Sequence, residues 1–87
     1  MTGATEQCWL VERDFYDEDL VTLVYATPDG RRHITQQRSQ ALLMQGQVTA
    51  AISVEADRLE PTPEEDRDRY ASEASRMAET YDPDEEV

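Results

Sequence analysis

The sequence predicts a small α+β domain: a mostly antiparallel sheet of three or four strands with one short helix and one longer C-terminal helix packed on it. Three observations lead there. Two early segments, 7–15 (QCWLVERDF) and 20–27 (LVTLVYAT), are rich in Val, Trp, Phe and Tyr, which favour a pleated, half-buried surface. Pro28-Asp29-Gly30 follows as a tight turn, in which proline presets its own φ and glycine accepts a positive one. Near the C-terminus, a helix-start pattern leads into apolar residues recurring at helical spacing.

Taken in order, residues 1–6 are polar and read as frayed. The acidic stretch Tyr16-Asp17-Glu18-Asp19 suits a hairpin loop between the first two strands. After the Pro28–Gly30 turn, RRHITQQ (31–37) is a third strand. Ser39 is placed to cap a short helix over 40–45, which Gly46 can end in a left-handed position. Residues 47–55 fit both periods: Val48, Ala50, Ile52 and Val54 alternate, while Val48, Ala51, Ile52 and Leu59 fit a helix. The β-branched content and the preceding glycine favour strand. Leu59-Glu60-Pro61 breaks the chain. Thr62 is then the expected cap, with Pro63 at the first helical position and Glu65 completing a capping box. Glu64, Glu65 and Asp66 also suit the positive end of the helix dipole. Tyr70, Ala74, Met77 and Tyr81 form one narrow apolar stripe over 63–81, and Asp82-Pro83 stops the helix. Residues 1–83 read as a single domain and 84–87 as an acidic tail.

Composition bounds the function more than any motif does. The 87 residues include twenty Asp and Glu, eight Arg and no Lys, a formal charge of −12. Such a surface repels itself in dilute buffer and is screened only in a salty medium. Residues 60–87 carry eleven acids and three Arg, residues 1–59 nine acids and five Arg, so the last helix is a charged outer layer with one apolar seam. Val, Ile, Leu and Phe number only 15. Low aliphatic content with high charge is also the composition of disordered chains, but here the apolar residues are clustered and periodic. A core this thin is marginal for a lone monomer, because each ordered residue costs about 1–2 kcal/mol. Cys8 is the single cysteine, which fits a reducing interior. No apolar run approaches the roughly 18–20 residues of a membrane span. The N-terminus lacks the regions of a signal peptide, which makes the cytoplasm the expected location.

Candidate sites are few. The basic run Arg31, Arg32, His33, with Arg38 after it, can contact an anion or nucleic acid, since guanidinium groups bind phosphates and carboxylates bidentately. On a strand, Arg31, His33 and Thr35 share one face and Arg32, Ile34 and Gln36 the other. The plainer reading, favoured here, has these arginines neutralising acids such as Glu12 and Asp14 across the sheet. Asp14, Asp17, Glu18 and Asp19 form an acidic loop without EF-hand spacing, read as a hydrated face. A Cys8–His33 nucleophile pair needs contact between the first and third strands. One Cys and one His are too few for a zinc site, and the three isolated glycines make no phosphate loop, so no metal, cofactor or catalytic residue is assigned. The first two strands are apolar on both faces. Trp9, Val11, Val21, Leu23 and Tyr25 are therefore the expected self-association residues, and an identical subunit the expected partner.

In composition, and in the stretch LEPTPEEDRDRYASEASRMA, the chain resembles the small acidic proteins of haloarchaea whose function is unassigned. The resemblance implies an archaeal cytoplasm rich in potassium chloride and carries over no catalytic or binding residue. The leading expectation is a non-catalytic, self-associating (homodimeric) interaction module. The alternative is a small anion- or nucleic-acid-binding adaptor using Arg31, Arg32, His33 and Arg38.

Overall fold

The two β-rich segments form the centre of one sheet. The computed structural model describes residues 4–15, 20–39 and 48–87, the side chains of Phe15, Arg38 and Ser39 apart. Strand β1 runs Thr5–Phe15, β2 Leu20–Ala26, β3 Arg32–Ser39, β4 Ala51–Glu55 and β5 Glu60–Pro61. A 3₁₀ turn covers Ala56–Arg58, and helix α1 spans Glu64–Thr80. The sheet order is β4-β1-β2-β3-β5, with antiparallel neighbours throughout. The class is α+β, as expected, but the sheet has five strands rather than three or four. The ambiguous 47–55 segment supplies β4, and the added strand is β5, where a chain break was read. Pro61 cannot donate to the ladder, but Thr62 beyond it does, giving its amide to the Arg31 carbonyl at 2.8 Å. The short helix expected over 39–45 lies outside the described residues, except that Ser39 is the last residue of β3.

β1 does not alternate simply. Its register with β2 passes from Leu10↔Tyr25 to Glu12↔Val24, leaving Val11 as an extra residue. Leu10 therefore shares a face with Tyr25, while Glu12 joins Trp9, Val24 and Ala26 on the opposite face. That second face lies under α1, whose Tyr70, Ala74 and Met77 are buried against the sheet, with Tyr81 partly buried. The stripe read from helical spacing thus packs through its first three residues, while Tyr81, expected as its fourth, lies just past the helix end in extended backbone. The other face of the sheet, with Cys8, Leu10, Val21, Leu23, Tyr25, Ile34 and Val54, is also buried within the single chain. The Tyr25 hydroxyl donates to the Thr49 carbonyl at 3.3 Å, tying this face to the segment leading into β4.

The start of α1 corrects the expected capping box. No side chain caps the helix, and Pro63 holds the cap position instead of the first helical one. Thr62 is 1 % exposed because β5 has drawn it into the sheet, where its hydroxyl meets His33 Nδ1 at 3.1 Å. A hydroxyl committed to β3 cannot also reach the helix amides. The acids Glu64, Glu65 and Asp66 still occupy the first turn, where the helix dipole favours them. At the other end, the Tyr81 amide donates to the Met77 carbonyl and the chain turns extended before Pro83. The last residues, read as a tail, are hydrogen bonded to the 48–51 segment. Ala50 and Ala51 donate to the Glu85 and Pro83 carbonyls, and Val87 donates to the Val48 carbonyl.

Candidate functional site

The basic run sits on β3, at the meeting of sheet, turn and helix. The turn before it is held by Asp29, whose carboxylate accepts from the Thr27 hydroxyl at 2.6 Å and from the Arg31 amide at 3.0 Å. These two bonds, the hydroxyl first, hold the Asp29 carboxyl below its ordinary range. Gly30 has φ +72°, and a Cβ there would lie 2.2 Å from the Arg67 carbonyl oxygen. The turn thus rests directly on the backbone of α1, and only glycine fits.

From there the run divides. Arg32 crosses the end of β2 on the Tyr25 face and forms an ion pair with Glu6 of β1. His33 points the other way, toward α1, between the Thr62 hydroxyl and the Tyr70 ring, with which it makes an edge-on contact at 6.0 Å between centroids. Arg31 is exposed. Strand alternation makes this division, so the three do not converge on one ligand; the side chain of Arg38 lies outside the described ones. The expected neutralisation of the arginines is present for Arg32, but its partner is Glu6 rather than Glu12 or Asp14. Glu12 is held by Arg69 of α1 at 2.6 Å, and Arg69 also binds Asp66 and lies 5.0 Å over the Tyr70 ring. The bulge at Val11 makes this possible, since simple alternation would aim Glu12 away from the helix. Burial, and then the Glu12 carboxylate, push the Tyr70 phenol up.

Cys8 and His33 do not form a pair. β2 lies between their strands and their side chains occupy opposite faces. Cys8 is fully buried and its thiol is pushed up to about 11, chiefly by burial and then by the Glu6 carboxylate, with Arg32 pulling the other way. A thiol in that state is a packing group rather than a nucleophile. Among the described residues no three His, Cys, Asp or Glu side chains are grouped to hold a metal ion, and no buried side-chain polar atom lacks a partner. The acidic loop lies outside the described residues apart from Asp14. An open groove of about 350 Å³ runs between β1 and the C-terminal half of α1, floored by Leu10, Val11, Met77 and Tyr81. Two of its rim charges, Glu73 and Arg76, are paired with each other.

The expected self-association residues Trp9, Val11, Val21, Leu23 and Tyr25 are all buried within one chain, none above 8 % exposed. They form the core instead of an exposed apolar patch, because α1 covers one face and the rest of the chain buries the other. Residue spacing could not show this, since it depends on how the chain outside the strands folds back. One further surface feature was within reach of the sequence. Between Asp29 and Glu55 there is no acidic residue, and this stretch holds Arg31, Arg32 and Arg38, a balance of +3. The remainder of the chain carries −15. β3 falls wholly in the acid-free stretch and β4 does so up to its last residue, Glu55; the two strands lie toward opposite edges of the sheet.

What the fold and surface define is a small acidic sheet-and-helix domain with a carboxylate-free strand near one edge. The chain belongs to a family of unknown function, DUF7967, whose model matches residues 2–87. No curated protein and no solved structure matches it. Among the described residues no helix is long and apolar enough to cross a membrane.

Proposed function

We propose that this domain is a non-catalytic, self-associating interaction module suited to a salt-rich cytoplasm. The observation that carries the reading is the distribution of charge. A chain at −12 repels its own copies, yet its acids leave one continuous stretch, 30–54, entirely free. That stretch contributes strands rather than a solvated loop alone, so it offers a place where another chain can approach without carboxylates opposing it. The use of the rarer side chains supports the same view, with Cys8 packed in the core and His33 engaged by Thr62 and Tyr70. Sedimentation of the purified chain across a potassium chloride series tests it. A mass of twice 10.0 kDa that grows in population with salt is the expected result, and a monomer at every salt and protein concentration would remove the reading.

The positive balance of the same stretch also favours the adaptor reading, in which Arg31 and Arg38 would contact an anion. Against it stand the engagement of Arg32 with Glu6 and the opposite orientation of His33. Binding of RNA or polyphosphate at moderate salt, lost on Arg31→Gln with a flattened salt dependence, would support it. No retention of either polyanion would retire it.

A further inference from the structure

We infer that a second copy of this chain docks on the outer edge of β3, strand to strand and antiparallel, through the peptide groups of Thr35 and Gln37. The inference rests on the self-association proposed above and names the surface that performs it.

The alternation of β3 decides which peptide groups face outward. Arg32 gives its carbonyl inward, accepting from the Thr27 amide at 3.0 Å, while Arg31 gives its own outward to Thr62 at 2.8 Å. Arg32, Ile34, Gln36 and Arg38 therefore bond to β2, and the groups at His33, Thr35, Gln37 and Ser39 point away from it. Among the described residues, β5 pairs only with Arg32 and His33. Toward the described residues, the remaining length of the edge is a template of donors and acceptors.

Edges are ordinarily protected by a proline, a bulge, or charges set along them. β3 contains no proline, and its register with β2 runs without a shift from Ala26↔His33 to Leu20↔Ser39. Of its two charges, Arg32 is turned to Glu6 and the side chain of Arg38 lies outside the described ones, while the side chains at the outward positions Thr35 and Gln37 are exposed and neutral. The opposite edge of the sheet differs. There the Ala51 amide already donates to the Pro83 carbonyl, and Glu55, Asp57 and Asp84 lie close by in sequence or space.

Charge admits a second copy as the occupant, since the +3 of the stretch that carries β3 faces a partner whose remainder is −15. Two chains at −12 meet least repulsion where neither presents a carboxylate, and β3 has none over its whole length. A two-fold axis through this edge sets Thr35 and Gln37 against the same residues of the partner, a self-complementary pairing of neutral hydrogen-bonding side chains.

The test uses the full chain at high potassium chloride and compares the parent with Gln37→Pro and Gln37→Glu. Proline at an outward position removes a docking amide while leaving every bond to β2. The glutamate variant keeps the backbone intact and adds one carboxylate per edge. Expected are a mass of twice 10.0 kDa for the parent and 10.0 kDa for both variants, with unchanged circular dichroism. The Thr35 and Gln37 amides of the parent should exchange slowly with solvent as a dimer and rapidly on dilution. If Gln37→Pro fails to fold, Gln37→Glu and the amide exchange decide. A parent dimer that Gln37→Glu leaves intact, with edge amides indifferent to concentration, overturns the β3 assignment while leaving self-association standing on another surface. A parent that is monomeric throughout overturns both.

Discussion

Gly30 and Asp29 show how much of this fold depends on single residues of the β2–β3 turn. A side chain at Gly30 meets two penalties: the left-handed backbone, about 1–2 kcal/mol, and collision with the Arg67 carbonyl and Ala71 amide of α1, about 1–3 kcal/mol by analogy with overpacked cores. Gly30→Ala should therefore cost about 2–5 kcal/mol in a thermal melt. Gly30→Asn separates the two penalties, because asparagine tolerates the left-handed conformation. It should remain strongly destabilised if the close approach to α1 dominates, and recover most of the loss if φ does. Asp29 makes a pH prediction. Its carboxyl is held below its ordinary 3.8 in the folded chain. The stabilisation is therefore present above that value and lost as pH falls through the depressed one. Asp29→Asn should melt below the parent at neutral pH, and the gap should close at acid pH. A gap that stays undiminished however far the pH falls below 3.8 would mean that ionisation is not what holds the turn.

Elements show where spacing suffices and where it does not. The α1 stripe was readable because a helix covering a sheet buries one face, and Tyr70, Ala74 and Met77 recur on that face whatever lies beneath them. Met77→Asp should then lower stability by several kcal/mol, as burial of an unpaired carboxylate does. Glu79→Gln, at an exposed position, should change it by less than about 0.5 kcal/mol. Equal melting points for the two would refute the stripe. The helix start was misread for an identifiable reason. Thr62 has the residue type and the spacing of a cap, but β5 pairing places it where His33 and Arg31 take its hydroxyl and amide. A local signal of about 1 kcal/mol yields to strand pairing that aligns the whole loop. The bulge at Val11 is the same lesson in β1. No glycine marks it, yet it turns Glu12 beneath the helix into the reach of Arg69.

At the scale of the molecule, charge and core size set the conditions for folding. The described ion pairs, Arg32–Glu6, Arg69–Glu12, Arg69–Asp66 and Arg76–Glu73, are all partly exposed and individually weak. They leave most of the twenty acids to repel one another. Screening should therefore raise stability from dilute buffer to multimolar potassium chloride, by roughly 10 °C for each 2 kcal/mol in a domain this small. The single Trp9, 6 % exposed in the folded chain, makes fluorescence a direct readout. A midpoint that does not move with salt would show that the acidic surface is unrelated to its medium.

The sequence by itself determined the class of fold, the two central strands, the Pro28–Gly30 turn, the stripe of α1 and the excess of acid. Each of these depends on neighbours within a few residues, or on composition, and periodicity records such dependence directly. Tertiary structure alone decided that Arg32 meets Glu6, that His33 lies against Thr62 and Tyr70, and that Cys8 and His33 are held apart by β2. It also decided that Trp9, Val11, Val21, Leu23 and Tyr25 are core rather than surface. Those outcomes turn on strand order, on a one-residue shift of register and on what covers each face of the sheet. Such relations join residues 20 to 60 positions apart, and a pattern of near neighbours carries no record of them.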